Sequence, residues 1–180
     1  MQSDRLKQTL ARIDRFEAPL CIWINQGTVS RYCSGFFQKI SRLGDGLFWY
    51  VVMIALPLLY GMRGVETSLQ MVLTGAAGLL LYRRVKGMTS RLRPYRVHPG
   101  IHRDILPLDR FSFPSGHTLH AVSFSWLVFS LDPILGWIVF PFAALVAISR
   151  VVLGLHYPSD VLVGGFVGLL LAEITFFLWG

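Results

Sequence analysis

Three polar clusters interrupt an otherwise apolar chain, and each holds side chains able to handle a phosphate. The first runs Lys86-Gly-Met-Thr-Ser-Arg91-Leu-Arg93-Pro94, the second Phe113-Pro114-Ser115-Gly116-His117, and the third from Ser149-Arg150 through His156 to Asp160. Lys86, Arg93 and Arg150 offer one compact charge and two planar forks, suited to holding three phosphoryl oxygens. Pro114-Ser115-Gly116 reads as a helix start, with Ser115 as cap and Gly116 letting the backbone approach a ligand closely. Free N–H groups and the dipole at such an end favour an anion, and His117 in the same turn would face it. His156 and Asp160 flank Tyr157-Pro158, with Pro158 placed to begin a helix. Across that turn the carboxylate could hold one imidazole nitrogen and fix the tautomer, leaving the other free to attack.

Taken singly, each cluster has an ordinary explanation. A Ser-Gly-His is more often a plain helix cap, a cation at the end of an apolar segment a snorkelling anchor, and a His-x-x-x-Asp pair structural. The elements between the clusters change that weighting. Apolar segments at about 46–62, 67–82, 116–131, 134–153 and 158–179 read as five membrane spans, several of them shorter than the roughly 20 residues of a full crossing. Two antiparallel crossings separate the second cluster from the third, so all three clusters return to one face of the membrane.

The composition agrees with a membrane protein. Of the 180 residues, 53% are hydrophobic and 15% charged, against roughly 25% charged in soluble domains. The expected fold class is all-α, a polytopic helical bundle of five transmembrane helices, or six if 18–40 also crosses. Residues 4–16 read as an amphipathic interfacial helix, with Leu6, Leu10, Ile13 and Phe16 as its apolar stripe among Arg5, Lys7, Arg12 and Arg15. Asn25, Gln26, Gly27, Arg31 and Ser34 interrupt 18–40, which reads as interfacial because Arg31 in mid-bilayer would cost about 2.5–3.5 kcal/mol. The expected organisation is an interfacial arm over 1–45 and a transmembrane domain over 46–180 that carries the three clusters. Gly164 and Gly168 have the spacing for close helix approach, read as packing within the bundle. Glu173 lies in an apolar run but far along its helix from Asp160, and is read as an opposite-interface residue.

The formal charge of +7 falls mainly in two polar regions, so lipid headgroups and phosphate are the expected counterparts and nucleic acid is not. Cys21 and Cys33 have neither disulfide-framework nor metal-ligand spacing. His98 and His102 lack a third ligand, so no metal is expected. His120, one turn past His117, reads as packing or support. The stretch 95–113, with Arg96, Arg103, Asp104, Asp109 and Arg110, is expected to form the lip that reads a headgroup, while grooves between spans take the lipid tail.

These motifs resemble the type-2 phosphatidic acid phosphatase family, whose site is shared with the vanadium haloperoxidases. Its signature of Lys-x6-Arg-Pro, Pro-Ser-Gly-His and Ser-Arg-x5-His-x3-Asp is met without departure across residues 45–180. The resemblance implies His156 as nucleophile forming a phosphohistidine, Asp160 orienting it, and His117 protonating the leaving oxygen. Lys86, Arg93, Ser115, the Gly116 backbone and Arg150 would bind the phosphoryl oxygens, with no cofactor. Undecaprenyl diphosphate is the favoured substrate; phosphatidylglycerol phosphate, phosphatidic acid and a lipid A phosphate fit the same pocket. A haloperoxidase is disfavoured by the small membrane bundle, and a non-catalytic lipid-phosphate binding or transport protein by the intact His156, His117 and Asp160. Oligomeric state is not legible.

The resemblance implies a cell (inner) membrane location with the site outside the cytoplasm. The distribution of Lys and Arg points the other way: seven over 1–45 and eight over 83–110 share the site's face, which the positive-inside rule would make cytoplasmic.

Overall fold

The structure is a computed structural model that describes residues 2–28, 31–103, 105, 107 and 109–179, with side chains described from residue 9 onward except at Ala11 and Arg31. The side chains of Arg5, Leu6, Lys7 and Arg31, and the whole of Asp104, therefore lie outside what the structure describes. The chain forms α1 (Gln2–Gly27), α2 (Arg31–Arg42), α3 (Phe48–Tyr60), α4 (Met62–Thr89), the short α5 (Pro94–Val97), α6 (Gly116–Leu131), α7 (Pro133–Val152) and α8 (Pro158–Trp179). Leu43–Leu47 form a π-helical turn between α2 and α3, kinked at Gly46, whose φ of 142° disfavours any residue with a Cβ.

The helix α6 stands at the centre, packed against α4, α7 and α8. Glycines permit its close contacts. A Cβ on Gly164 would sit 2.5 Å from the Ser115 carbonyl oxygen, and one on Gly168 2.3 Å from that of Leu119. The pair thus packs α8 onto α6 inside the bundle. The core between α3, α4, α6, α7 and α8 holds Trp49, Met71, Phe124, Leu127, Val139 and Val146. At the end of the bundle away from the three clusters, Asp132 accepts from the Ile134 and Leu135 amides to begin α7 and from the Tyr60 hydroxyl at 2.6 Å.

Four helices are long and apolar enough to cross a membrane by length and composition: Tyr32–Tyr60, Met62–Thr89, Pro133–Val152 and Pro158–Trp179. They expose Ile54, Leu58, Val72, Leu80, Ile138, Leu162, Phe166 and Phe177 outward, a surface stable only against lipid. Two boundaries differ from those expected. The first span begins at Tyr32, not near Gly46, because the π-turn carries the helix on through Gly44 and Gly46. The 16 residues of α6 fall short of a full crossing, and its neighbours enclose it.

Helix α1 extends from 2 to 27, well past the expected 4–16, and faces the bundle with a different stripe. Leu10, Ala18, Cys21 and Asn25 are buried, whereas Phe16 is 84% exposed. Steps of three residues drift by roughly 60° each on a helix, so Phe16 lies about 120° from Leu10. The outward face instead carries Phe16, Leu20 and Trp23. The side-chain amide of Asn25 reaches the Val152 and His102 carbonyls at 2.9 and 3.0 Å, and its oxygen accepts from the His102 amide at 2.7 Å. A buried polar group is thereby satisfied, and α1 is pinned across the cluster end of the bundle. Burial pushes the Cys21 thiol up to about 12, which makes it an inert packing residue.

The α6–α8 contact supports one prediction. Gly168→Val forces the helices apart at Leu119 and should cost about 1–3 kcal/mol of stability. Thermal unfolding of the detergent-purified variant should show a Tm several degrees lower; an unchanged Tm would show that this interface yields freely.

Candidate active site

Each of the three clusters lies where a long helix ends. Lys86 is on the last turn of α4, which at 28 residues runs about 42 Å and outreaches a bilayer core. Ser115 caps α6, its hydroxyl accepting from the Thr118 amide. Arg150 ends α7, and Asp160 lies in the first turn of α8. The clusters are joined directly, because the Ser115 amide donates to the Asp160 carbonyl at 3.0 Å.

His156 is buried, and its Nε2 lies 3.0 Å from Arg93 Nη1. A guanidinium only donates, so Nε2 carries the lone pair and the ring proton is on Nδ1. Asp160 Oδ2 lies 3.5 Å from Nδ1, looser than a hydrogen bond; such contacts commonly tighten once substrate is bound. Burial first, then the charges of Arg93, Arg150 and Lys86, push the His156 imidazole well below its usual 6.5. The ring is neutral at neutral pH, with its lone pair turned toward the cations.

Arg93 is held from several sides. Its Nη1 donates to the Leu155 carbonyl at 2.8 Å, while Nε and Nη2 donate to the Asp109 carbonyl and carboxylate at 3.1 and 2.7 Å. Lys86 Nζ donates to the other Asp109 oxygen at 2.6 Å. Burial raises the Asp109 carboxyl, but Lys86 and Arg93 outweigh it and hold the group below the ordinary range. Arg150 donates from Nη1 to Ser41, and its buried Nε has no partner among the described residues. An unpaired buried guanidinium N–H is costly unless an oxygen arrives to meet it.

His117 pairs through Nε2 with Asp45 on the π-turn. Gly116 lies against Tyr82, where a Cβ would come within 3.0 Å of the ring. Both residues line a groove of about 440 Å³ that descends past Trp49, Met53, Met71 and Phe124. Tyr50 and Val72 in its walls are also exposed on the outer faces of α3 and α4, so the groove opens sideways toward lipid. His120 donates from Nε2 to the Gly75 carbonyl at 3.1 Å and stacks on Phe124 in the groove wall.

All the residues singled out by spacing therefore meet at one end of the bundle, although Ser115 Oγ is occupied by the α6 cap. Other residues had no such signal. Ser41 and Asp45 come from a stretch with no recognisable pattern, and Asp109, read as part of a headgroup lip, bridges Lys86 and Arg93 instead. Arg96 and Arg103 lie over the Tyr95 ring and Arg110 over Phe111. His98 approaches the Tyr157 hydroxyl at 3.3 Å, and Glu173 is exposed on α8. Among the described residues no three His, Cys, Asp or Glu side chains come together as a metal site would require.

Fold and site together define a polytopic membrane protein with a cationic, histidine-bearing pocket beside a lipid-facing groove. A family model described as the PAP2 superfamily matches residues 67–179, and the chain belongs to that superfamily. It is 36% identical over 87 residues to the bacitracin transport permease protein BcrC of Bacillus licheniformis, covering 48% of this chain and 43% of that protein. It is 30% identical over 127 residues to the undecaprenyl-diphosphatase BcrC of Bacillus subtilis, covering 71% and 65%. The chain thus spans less than two thirds of the length of either relative. Among solved structures, a transmembrane PAP2 type phosphatidylglycerolphosphate phosphatase from Bacillus subtilis superposes with a TM-score of 0.71 at 25% identity, covering 98% of this chain and 94% of that one.

The depressed imidazole predicts the pH response. A nucleophilic His156 is lost only when protonated, so the acid limb of kcat/KM should fall below pH 6.5. The same sign makes folding stability decline as pH drops below 6.5, because the unfolded chain takes up the proton first. An acid limb at or above that pH would mean that the site stabilises the imidazolium instead.

Proposed function

We propose that the protein hydrolyses a lipid phosphomonoester or diphosphate through a phosphohistidine. The observation that carries this reading is the neutral, buried His156 facing Arg93 beside a buried Arg150 Nε that lacks a partner. Nε2 of His156 attacks phosphorus as the bond to the leaving oxygen breaks, and His117 gives that oxygen its proton. Water then attacks phosphorus and gives its proton to His117 as the P–N bond breaks, which restores both imidazoles. Lys86, Arg93, Arg150 and the Gly116 amide hold the charge that builds on the equatorial oxygens. The incoming phosphoryl group displaces Asp109 from Lys86 and Arg93, and Asp45 gives up His117. The phosphatase domain takes in residues 46–180 together with the part of the first span from Tyr32, which leaves the interfacial arm to the residues before it.

Undecaprenyl diphosphate is the proposed substrate. The groove beside His117 offers an apolar wall to a long tail, and a relative bears the name of that activity. The site is placed on the outer face of the cell (inner) membrane.

Phosphate release by detergent-purified protein, with EDTA present, should be measured on undecaprenyl diphosphate, phosphatidylglycerol phosphate, phosphatidic acid and a lipid A phosphate. Undecaprenyl diphosphate should turn over fastest, and His156→Ala should lose on the order of 10³-fold or more. A different ranking would reassign the substrate. No release from a folded, monodisperse sample would favour lipid-phosphate binding or transport. For sidedness, Gly87 is exposed with open space about it. A Gly87→Cys variant in intact cells should react with a membrane-impermeant maleimide; labelling only after lysis would place the site in the cytoplasm.

A further inference from the structure

Arg91 is a buried cation that the proposed chemistry leaves unused. It lies five residues past Lys86 and two before Arg93, yet its N–H groups are committed elsewhere. Nη1 donates to Asp160 Oδ1 at 2.5 Å and to Ser159 Oγ at 2.8 Å. Nε and Nη2 donate to Asp14 Oδ1 at 2.8 and 2.5 Å, and Nη2 also to Glu17 Oε2 at 2.8 Å. The guanidinium lies over the Tyr157 ring, 4.1 Å from its centroid. With its donors taken by carboxylates and a hydroxyl, Arg91 has none to offer a phosphoryl oxygen.

The consequence falls on Asp160. One of its carboxylate oxygens accepts from Arg91, while the other accepts from the Tyr157 amide at 2.9 Å and faces His156 Nδ1. The carboxylate plane is thus set by Arg91 on one side and by the backbone on the other. Glu17 makes a second tie from α1 to the start of α8, accepting from the Ser159 amide and hydroxyl at 2.6 Å each.

We propose that Arg91 is the positioning residue for the His156–Asp160 pair, and that α1 takes part in catalysis by clamping Arg91 through Asp14 and Glu17. This rests on the reading of His156 as nucleophile. Helix α1 lies outside the stretch that matches the superfamily. Arg91 orients the carboxylate that orients the imidazole, and its loss acts on the chemical step and not on phosphate binding.

The test uses the full-length protein in detergent. Arg91→Gln should lower kcat roughly 10- to 100-fold, the range for losing a group that orients a reacting one. KM and the inhibition constant for vanadate, a phosphate mimic held by Lys86, Arg93 and Arg150, should change less than about threefold. Arg91→Lys, which keeps the charge without the fork, should recover part of kcat. The Asp14→Asn/Glu17→Gln double variant, which leaves Asp160 and Arg91 in place, should lose about 3- to 10-fold in kcat, and less than about twofold further in the Arg91→Gln background. Parallel changes in kcat, KM and vanadate inhibition, or additive losses, would overturn the proposal. In the same samples, nitrogen-15 NMR of labelled histidines should show the His156 ring signals moving in Arg91→Gln. Unmoved signals would overturn it too, even if no lipid were hydrolysed, so failure of the clamp is distinguishable from failure of the phosphatase reading.

Discussion

A carboxylate buried at the end of a membrane bundle is tolerated only when its oxygens find donors, and Asp160 meets that condition by drawing the polar clusters together. Its two side-chain oxygens accept from Arg91 and the Tyr157 amide, and its backbone carbonyl accepts from the Ser115 amide. The first cluster thus reaches it by a guanidinium, the second by a peptide N–H, and the third by its own turn. The α6–α8 approach at Gly164 sets the distance at which the Ser115 contact forms. Packing in the apolar core and geometry in the polar pocket are therefore one constraint: α8 cannot withdraw from α6 without unseating the carboxylate that faces His156.

Much of this was legible from residue spacing. Lys86, Arg93, Ser115, Gly116, His117, Arg150, His156 and Asp160 occupy a distinctive register, and counting spans already sent their clusters to one membrane face. Asp45 and Ser41 carried no such mark, because a lone carboxylate between two glycines and a serine in an apolar helix are ordinary anywhere. Only the kink at Gly46 and the contact of Gly44 with Val146 bring that segment against α7 and His117. The stripe on α1 was misread for a geometric reason, since i, i+3 steps leave a helix face after two turns. Two of the polar residues that made 18–40 look interfacial have local solutions, with Asn25 satisfied by the Val152 and His102 backbone and Gln26 reaching the Gly100 carbonyl.

The pocket also keeps its charges in check. Lys86, Arg93 and Arg150 repel one another, and Asp109 and Asp45 moderate that repulsion from two different loops. Asp109 is partly exposed at 38% of its side chain, so it can swing away without unfolding anything. Arg91, by contrast, is surrounded by three carboxylates that hold its charge more firmly than in water despite burial. The two kinds of ion pair differ in setting: one reaches the surface, the other is fixed to the frame.

The segment from 31 to 45 precedes the stretch that matches the superfamily, yet it delivers Ser41 to Arg150 and Asp45 to His117. The stretch that matches the family model and the stretch that builds the pocket therefore begin at different places. A chimera that joined residues 67–179 to another member's leading helices would keep every signature residue. It would still present Arg150 and His117 to foreign neighbours. Leading segments in such proteins are exchangeable only as matched sets with the pockets they touch, so substitutions there should drift in step with those around Arg150 and His117.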